Sequence, residues 1–259
     1  MKYIRIIRIT VVILIIFATL LLSQRTNTET YTNFLASVFG TPSPKIYVLT
    51  RTSGRPKFFN NCKKSIKTQT YKNWEHIISC DDPKSCEYAF DLDKTTVVPV
   101  NRVEKKGKMN CPYNMYNNNL IKRVPHGSWM LFLDDDGKLY DDKALARLCA
   151  AIKKSEKQGK DIIISLGDGK VNSKPKCWGM TTEQILAKMK NDWHFAKIDT
   201  SHFCIKNAPH MALWRYKCAG DAHFFHDNLK VGYEPYYNED HVISGNYMKY
   251  GGGNRKDII

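Results

Sequence analysis

The sequence predicts an α/β domain in which helices cover both faces of a mainly parallel sheet. From residue 45 onward, short apolar runs alternate with segments whose apolar residues recur at helical spacing. Such alternation is typical of parallel strands joined by helical crossovers. Polar residues follow several of the apolar runs, and ligands of parallel sheets bind at the carboxyl ends of the strands. The run WMLFLDDDG, residues 129–137, is the clearest example, because an apolar strand ends there in three carboxylates and a glycine.

Five strands and three helices make up most of the predicted domain. The strands are short apolar runs at residues 45–50, 74–80, 95–100, 129–133 and 161–166. Pro56 is a favourable first helical residue, and the apolar residues that follow it predict a helix over 57–68. Further helices are expected over 113–124 and 141–157, which completes the strand–helix alternation of a single domain.

The N-terminal residues are typical of a membrane anchor. Lys2, Arg5 and Arg8 precede an uncharged, strongly apolar run at 9–24. A helix of that length spans ~24 Å at 1.5 Å per residue, and flanking isoleucines extend it toward the ~30 Å of a bilayer core. A cleaved signal peptide is the alternative, but no good small-residue cleavage site follows the run. The basic flank, residues 1–8, predicts a cytoplasmic N-terminus and a single-pass type II membrane protein.

The rest of the chain is expected on the far side of that membrane, in the Golgi, the ER or an equivalent endomembrane, or in a host membrane if the protein is viral. Residues 25–44, rich in Thr, Ser and Asn with two prolines, predict a short stem, and residues 45–259 the globular domain. The 259-residue chain carries a formal net charge of +15. A basic globular part implies an anionic partner such as a nucleotide, a phosphate, a nucleic acid or a membrane face.

Eight cysteines are spread over the globular part. Disulfides are compatible with the inferred lumenal side of the membrane, but the spacing does not reveal which cysteines would pair. The sequence contains no CxxC pair, so a structural zinc site is not expected. Cys80 and Cys204 lie in apolar runs, which is typical of buried thiols.

The acidic triplet Asp134, Asp135 and Asp136 indicates a cation site. Three adjacent carboxylates repel one another unless a cation lies among them. Oxygen ligands of this kind suit a hard divalent ion such as Mg²⁺ or Mn²⁺. A surface turn is the alternative, because Asp-Gly is a strong turn signal.

Several blocks of the sequence resemble the GT-A fold glycosyltransferases of the family 2-like type. The opening VLTRTSGRPKFFNNCKKSIKTQTYKNWEHIISCDD is similar to the first strand, helix and second strand of that family. The matching residues are Arg55, Pro56, Phe59, Cys62, Ser65, Ile66, Gln69, Thr70, Tyr71, Asp81 and Asp82. YNMYNNNLIKRVPHGSWMLFLDDDG resembles the segment that leads into the family's DxD motif, and IDTSHFCIKN and WRYKCAGDAHFF resemble its acceptor-side blocks. The ordered series covers about residues 45–230.

The resemblance implies a set of donor-binding residues around the DxD motif. Those residues are Thr50, Arg51, Arg55, Asp81, Asp82, Asn114, Asn118, Asp134 and Asp135. Asp134 and Asp136 would ligate the metal, with His241 as a further ligand from the C-terminal part. Asn114 and Asn118 lie one helical turn apart and would share a face toward the donor. A turn before Pro83 is the alternative for the Asp81–Asp82 pair, and a solvent-exposed surface for the asparagines.

Catalysis by such an enzyme needs a carboxylate that takes the proton of the acceptor hydroxyl. The resemblance assigns this role to Asp221, although Gly220 stands where the family often has glutamate. A helix N-cap is the alternative for Asp221, because aspartate suits that position. The acceptor side would be bordered by Asp199, Thr200, His202, Trp178 and His223.

These features together predict a metal-dependent glycosyltransferase, inverting, with Mn²⁺ or Mg²⁺ as cofactor. The implied partners are a UDP- or GDP-sugar as donor, a glycan, protein or lipid as acceptor, and a membrane reached through the N-terminal helix. A metal-dependent nucleic-acid-processing enzyme is one alternative, supported by the basic charge and the aspartates. No nucleic acid is expected, however, because the sequence has no recognised nucleic-acid motif. A catalytically inactive sugar-binding relative is the other alternative.

Overall fold

The fold is given by a computed structural model that describes residues 43–81, 87–90, 94–100, 111–165, 200–238 and 244–246, together with Gln184 and Ala187. The chain divides into two units, 1–43 and 44–259, and the fold below is that of the second unit. Among the described residues, no helix is both long enough and apolar enough to cross a bilayer. The predicted anchor at 9–24 lies outside those residues.

Within the described residues, nine strands and four α-helices follow one another along the chain. The strands are β1 (Ile46–Thr52), β2 (Trp74–Cys80), β3 (Thr95–Pro99), β4 (Trp129–Phe132), β5 (Gly137–Leu139), β6 (Ile162–Ile164), β7 (Phe203–Lys206), β8 (Pro235–Tyr237) and β9 (Ser244–Asn246). The helices are α1 (Pro56–Lys67), α2 (Asn114–Ile121), α3 (Ala144–Lys157) and α4 (Gly220–Lys230). Short 3-10 turns span Glu87–Ala89 and Thr200–His202.

Seven strands form one sheet in the order β3-β2-β1-β4-β7-β6-β8. The pairs β1–β2, β1–β4, β2–β3 and β6–β8 are parallel, whereas β7 runs antiparallel to both of its neighbours. The predicted mainly parallel sheet is therefore confirmed, with β7 as the strand that departs from it. A separate antiparallel pair joins β5 to β9.

The central strand β1 shows why helices cover both faces of the sheet. Successive side chains of a strand point to opposite faces. Ile46 and Val48 belong to a buried cluster with residues of α1 and α3, and Tyr47 and Leu49 belong to another with residues of α2 and α4. Such two-sided burial is typical of strands in the middle of an α/β sheet.

Gln69 joins the end of α1 to the start of α3. Its buried side chain donates to the Ser65 carbonyl at 2.9 Å and accepts from the Leu145 amide at 2.9 Å. The Leu145 amide is one of the helix-terminal N–H groups that has no partner inside its own helix. The contact therefore fixes α3, which begins a few residues after the acidic triplet.

His76 lies in β2 with its ring fully buried, and its Nε2 atom is 2.9 Å from the Thr50 hydroxyl. Burial, and next the positive charge of Lys63, lower the pKa of His76 to about 3. An unfolded histidine titrates near 6.5. Between these two values the unfolded chain binds more protons than the folded chain, so stability falls as the pH is lowered from 6.5.

His76 should therefore make the protein acid-sensitive. Through His76 the wild type should lose about 2 kcal/mol of stability between pH 7 and pH 5. We expect the His76→Gln variant to lack this part of the loss. Urea unfolding of the full-length protein at both pH values measures the difference. His126→Gln is the matched control, because His126 is exposed. If stability depends on pH equally in the His76 variant and in the wild type, His76 is not the source of the acid sensitivity.

Candidate functional site

Three parallel strands deliver polar residues to one edge of the sheet. Arg51 lies near the carboxyl end of β1, Asp81 directly follows β2, and the acidic triplet follows β4. The Asp81 amide donates to the Thr52 carbonyl at 3.2 Å, and the Leu133 amide donates to the Leu49 carbonyl at 2.9 Å. The carboxyl ends of these strands thus stay in register up to the acidic residues.

Arg51 and Asp134 form the first of three ion pairs at this edge. Arg51 Nε lies 2.9 Å from Asp134 Oδ1, and Nη2 lies 3.4 Å from Oδ2. The Thr200 hydroxyl donates to the same Oδ2 at 3.1 Å. Burial disfavours the charged carboxylate, but the charge and hydrogen bonds of Arg51 outweigh it and hold the pKa of Asp134 below its usual range. Asp134 is therefore ionised and held in one orientation at neutral pH.

Arg55, which lies directly before α1, forms the other two ion pairs. Its Nε and Nη2 atoms donate to the two oxygens of Asp135, with Nε 3.0 Å from Oδ2. Its Nη1 atom lies 3.5 Å from Asp136 Oδ2. The Thr52 hydroxyl donates to Asp135 Oδ2 at 2.9 Å. One guanidinium thus holds two consecutive carboxylates of the triplet, as the fork geometry of arginine allows.

The three carboxylates differ in environment. Burial, opposed by the charge of Arg55 and helped by the negative charges of Asp136 and Asp134, raises the pKa of Asp135 to about 7. Burial and the charge of Asp134 also raise the pKa of Asp136. Asp135 has no exposed side-chain surface, whereas the Asp136 side chain keeps 12% of its surface exposed. Asp136 is therefore more accessible to a ligand than Asp135.

Two of the predicted donor contacts lie below the surface. Thr50 is fully buried, and its hydroxyl contacts the His76 ring and the Cys62 sulfur. Asp135 is fully buried, and both of its oxygens are bound by Arg55 and Thr52. Neither side chain has exposed surface that could contact the sugar donor expected from the sequence, so we assign both a supporting position beneath the site. The Oδ1 atom of Asp81 is also buried, and among the described residues it has no hydrogen-bond partner.

The residues at this edge fit a divalent ion that binds together with a phosphate. Within the group formed by the acidic triplet and the two arginines, three carboxylates face two guanidinium groups, so one negative charge of this group is uncompensated when all five are ionised. Among the described residues, no group of three His, Cys, Asp or Glu side chains converges to hold a metal by itself. One or two carboxylates completed by water and substrate phosphates is the usual arrangement for Mg²⁺. Asp136, with Asp134 beside it, meets that requirement.

A cavity of about 580 Å³ opens beside Asp136, between α1 and β5. Its lining includes the rings of Phe58 and Tyr140 and the amide of Asn61. Cavities of this size are typical of small-molecule sites. Because Asp136 is the member of the triplet that lines the cavity, a ligand there would meet Asp136 first.

Asn114 and Asn118 are buried, so the alternative of solvent-exposed surface asparagines is wrong. Asn114 Nδ2 donates to the carbonyls of Lys217 at 2.6 Å and Arg215 at 3.3 Å. Asn118 donates to the Trp214 carbonyl at 3.0 Å and accepts from the Trp214 amide at 2.9 Å. Both side chains therefore bind the backbone that leads into α4.

Asp221 lies in the first turn of α4, and its side chain is half-buried. The N-cap of this helix is Ala219, so the N-cap alternative for Asp221 is wrong. One carboxylate oxygen, Oδ1, accepts from the Ala222 amide at 2.9 Å. The helix thus fixes the carboxylate near its N-terminus.

The acceptor-side candidates are described only in part. His202 is buried at the end of the 3-10 turn before β7, and His223 is half-buried on α4. Asp82, Trp178, Asp199 and His241 lie outside the described residues. Thr200, which is also expected to border the acceptor, donates to Asp134.

Thr52 is the site residue that sequence reasoning missed. Because side chains alternate along a strand, the sequence places Thr52 on the same face of β1 as Thr50, two residues earlier. It does not show that Thr52 binds Asp135, which lies far away in the sequence.

The predicted buried thiols are confirmed for Cys204 and wrong for Cys80. Cys204 is a buried thiol, and burial raises its pKa. Cys80 is also buried, but it is disulfide-bonded. An apolar run cannot distinguish the two states, because burial accompanies both.

Solved structures of GT-A-type glycosyltransferases resemble this chain. The TarS 1-349 fragment from S. aureus in complex with UDP-GlcNAc has a TM-score of 0.58 at 14% identity, over 80% of this chain and 60% of that one. The mannosyltransferase PcManGT from Pyrobaculum calidifontis, in complex with GDP-Man and Mn²⁺, has a TM-score of 0.55 at 13% identity, over 86% of this chain and 65% of that one. The chain thus spans less than two thirds of either structure.

No protein-family model matches the sequence, and no curated protein matches it significantly. At identities of 13% and 14%, the likeness to solved structures establishes the fold alone. The seven-stranded, mainly parallel sheet of this chain, with helices on both faces, matches the GT-A fold of these structures. The described α/β domain therefore has the GT-A fold of glycosyltransferases.

Proposed function

We propose that the chain is a glycosyltransferase that moves a sugar from a nucleoside-diphosphate sugar to an acceptor hydroxyl with inversion. The observation that carries the proposal is the cluster of three carboxylates and two arginines at one edge of a GT-A sheet. The structural neighbours with bound UDP-GlcNAc and GDP-Man support a nucleotide-sugar donor. A UDP- or GDP-sugar is therefore the first donor class to test.

On the donor side, each residue of the cluster has a distinct task. Asp136, with Asp134, would hold a Mn²⁺ or Mg²⁺ ion, which when bound supplies positive charge to the donor diphosphate. Arg51 keeps Asp134 ionised and oriented. Arg55 fixes Asp135 and contacts Asp136, so the backbone of the triplet is anchored from below. Asp81 would accept a hydrogen bond from the nucleoside.

On the acceptor side, Asp221 would act as the base. Its carboxylate takes the proton of the acceptor hydroxyl as the oxygen forms a bond to the anomeric carbon of the donor sugar. The bond from that carbon to the phosphate oxygen breaks, and the nucleoside diphosphate leaves with the electron pair. Attack from the face opposite the leaving group inverts the anomeric configuration. The acceptor would be a hydroxyl of a glycan, a protein or a lipid.

A panel of nucleotide sugars tests this function directly. The full-length protein, purified in a mild detergent, would be incubated with UDP-Glc, UDP-GlcNAc, UDP-Gal or GDP-Man in Mn²⁺, Mg²⁺ or EDTA. We expect release of nucleoside diphosphate from one donor, lost in EDTA and in Asp136→Asn. Asp161→Asn is the matched control, because Asp161 lies beside the amino end of β6, at the opposite edge of the sheet.

Other outcomes distinguish the alternatives. Binding of a donor without release or transfer would indicate an inactive sugar-binding relative. A folded protein that binds no donor would contradict the proposal, and salt-sensitive binding of RNA or DNA would then favour the nucleic-acid alternative.

We also propose that the domain lies on the non-cytoplasmic side of an endomembrane, anchored by residues 9–24. The disulfide at Cys80 supports this location, because disulfides persist in oxidising compartments and are rare in the cytosol. Resistance of residues 44–259 to protease in sealed microsomes, lost on adding detergent, is the expected result. Cleavage of the domain in sealed microsomes would contradict the topology.

A further inference from the structure

We infer that Asn114, through its side-chain amide, positions Asp221 relative to the Arg51–Asp134 ion pair. The inference rests on the proposed function, because it gives Asn114 a positioning role in that reaction. Asn114 is the first residue of α2 and is 2% exposed. Its side chain lies between the donor side of the site and the segment that leads into α4.

Each end of the Asn114 amide binds a different side of the site. The Oδ1 atom accepts from Arg51 Nη1 at 3.5 Å, and Arg51 in turn binds Asp134. The Nδ2 atom donates to the carbonyls of Lys217 and Arg215. A primary amide is suited to such a bridge, because its acceptor and its two donors point in opposite directions.

The start of α4 packs directly on this amide. A Cβ atom built on Gly220 would lie 2.1 Å from Asn114 Nδ2 and 2.5 Å from its Cγ. Any side chain at Gly220 would therefore displace the amide from its two carbonyl partners. Asp221 is the next residue along the helix, so its backbone position is set within one residue of the contact.

The backbone conformation just before α4 also depends on the Asn114 side chain. Ala219 has a φ of 55°, in the left-handed region that non-glycine residues rarely adopt. Such a conformation persists only where the surrounding structure fixes it. The Asn114 bonds to Arg215 and Lys217 hold the backbone just before Ala219. Loss of the amide would therefore free the turn that aims Asp221.

Asn118 provides a matched control on the same helix. It is 6% exposed and binds the Trp214 backbone through two hydrogen bonds. Among the contacts the structure describes, none joins Asn118 to Arg51. Removal of either asparagine thus loosens the segment before α4, but only removal of Asn114 breaks the link to the donor side.

Hydrogen exchange of α4 tests the link without any ligand. Arg51→Met should speed exchange of the amides of residues 220–230 by at least about fivefold in the full-length protein, since coupled sites commonly differ by that factor or more. In an Asn114→Ala background, Arg51→Met should change the exchange rate of these amides by less than about twofold. In an Asn118→Ala background the effect should persist. Persistence in the Asn114→Ala background would overturn the inference.

Kinetics test the positioning role. We expect Asn114→Ala and Gly220→Ala to lower the kcat of transfer by about 10- to 100-fold, because small misplacements of a catalytic group carry that cost. The KM for the donor should change by less than about threefold, since the ion pair remains. Asn118→Ala should lower kcat by at least about fivefold less than Asn114→Ala does, because it leaves the bond between Asn114 and Arg51 in place. An equal loss of kcat in Asn118→Ala, or a raised KM with unchanged kcat in Asn114→Ala, would overturn the role.

The two tests fail in different ways. If the wild type transfers sugar from no donor, the proposed function fails, and the exchange experiment still decides whether Asn114 links Arg51 to α4. If transfer is measured but Arg51→Met leaves exchange in α4 unchanged, the proposed function holds and the link is wrong.

Discussion

Asp221→Asn should lower the rate of sugar transfer by about 1,000-fold, because a positioned general base contributes about 10²- to 10⁴-fold. Asparagine keeps the shape of the side chain and still accepts a hydrogen bond, but it cannot take up the proton of the acceptor hydroxyl. The helix that carries Asp221 should be unaffected, since the N-cap is Ala219. Initial rates at saturating donor measure the loss, and mass spectrometry of the acceptor identifies the product.

Donor binding serves as the control for Asp221. Affinity for the nucleoside diphosphate with Mn²⁺ should stay within about threefold of the wild type, because the acidic triplet is unchanged. A transfer rate close to that of the wild type would show that another group takes the proton. His223, half-buried on the same helix, would then be the next residue to test.

Arg55→Met should destabilise the fold by about 3 kcal/mol or more, because it leaves a buried carboxylate without its cation. Asp135 is fully buried, and Arg55 supplies two of its three hydrogen bonds from side chains. Urea unfolding of the full-length protein gives the free energy and is measured at pH 8, which lies above the pKa of about 7 that Asp135 has in the folded wild type.

A second substitution, Asp135→Asn in the Arg55→Met variant, identifies the cause of the destabilisation. Adding Asp135→Asn to Arg55→Met should recover more than half of the loss, because a neutral amide is far less costly to bury than a carboxylate. Arg147→Met is the matched control, since its partner Asp141 is exposed and such pairs contribute less than about 1 kcal/mol. Equal losses in the Arg55 and Arg147 variants would contradict the account of the buried pair.

The fold could be predicted where local pattern decides structure. β1, β2 and β4 are apolar runs that end in polar residues, and α1 begins at a proline and buries Phe59, Cys62 and Ile66 at helical spacing. The direction of β7 could not be predicted, because it depends on pairing with β4 and β6, which lie far away in sequence. β5 and β9 are three residues each, too short to show a period.

The same limit applies to the site. The sequence indicated a cation among three repelling carboxylates, and the structure places two guanidinium groups there, from residues about eighty positions earlier. In the proposed enzyme, a divalent ion would therefore balance the remaining charge near Asp136 rather than the charge of the whole triplet. The asparagines of α2 were equally ambiguous, because only the fold shows that they bind the backbone before α4.

Isothermal titration of the full-length protein with UDP and with GDP, each with and without Mn²⁺, measures whether the acidic triplet binds a nucleoside diphosphate. We expect one nucleotide to bind with micromolar affinity in Mn²⁺. Binding should weaken by at least about tenfold without the ion, and Asp136→Asn should remove it. Asp161→Asn should bind as the wild type does. Absence of binding of either nucleotide to a folded protein, or binding that Asp136→Asn leaves unchanged, would contradict a nucleotide-sugar site at the acidic triplet.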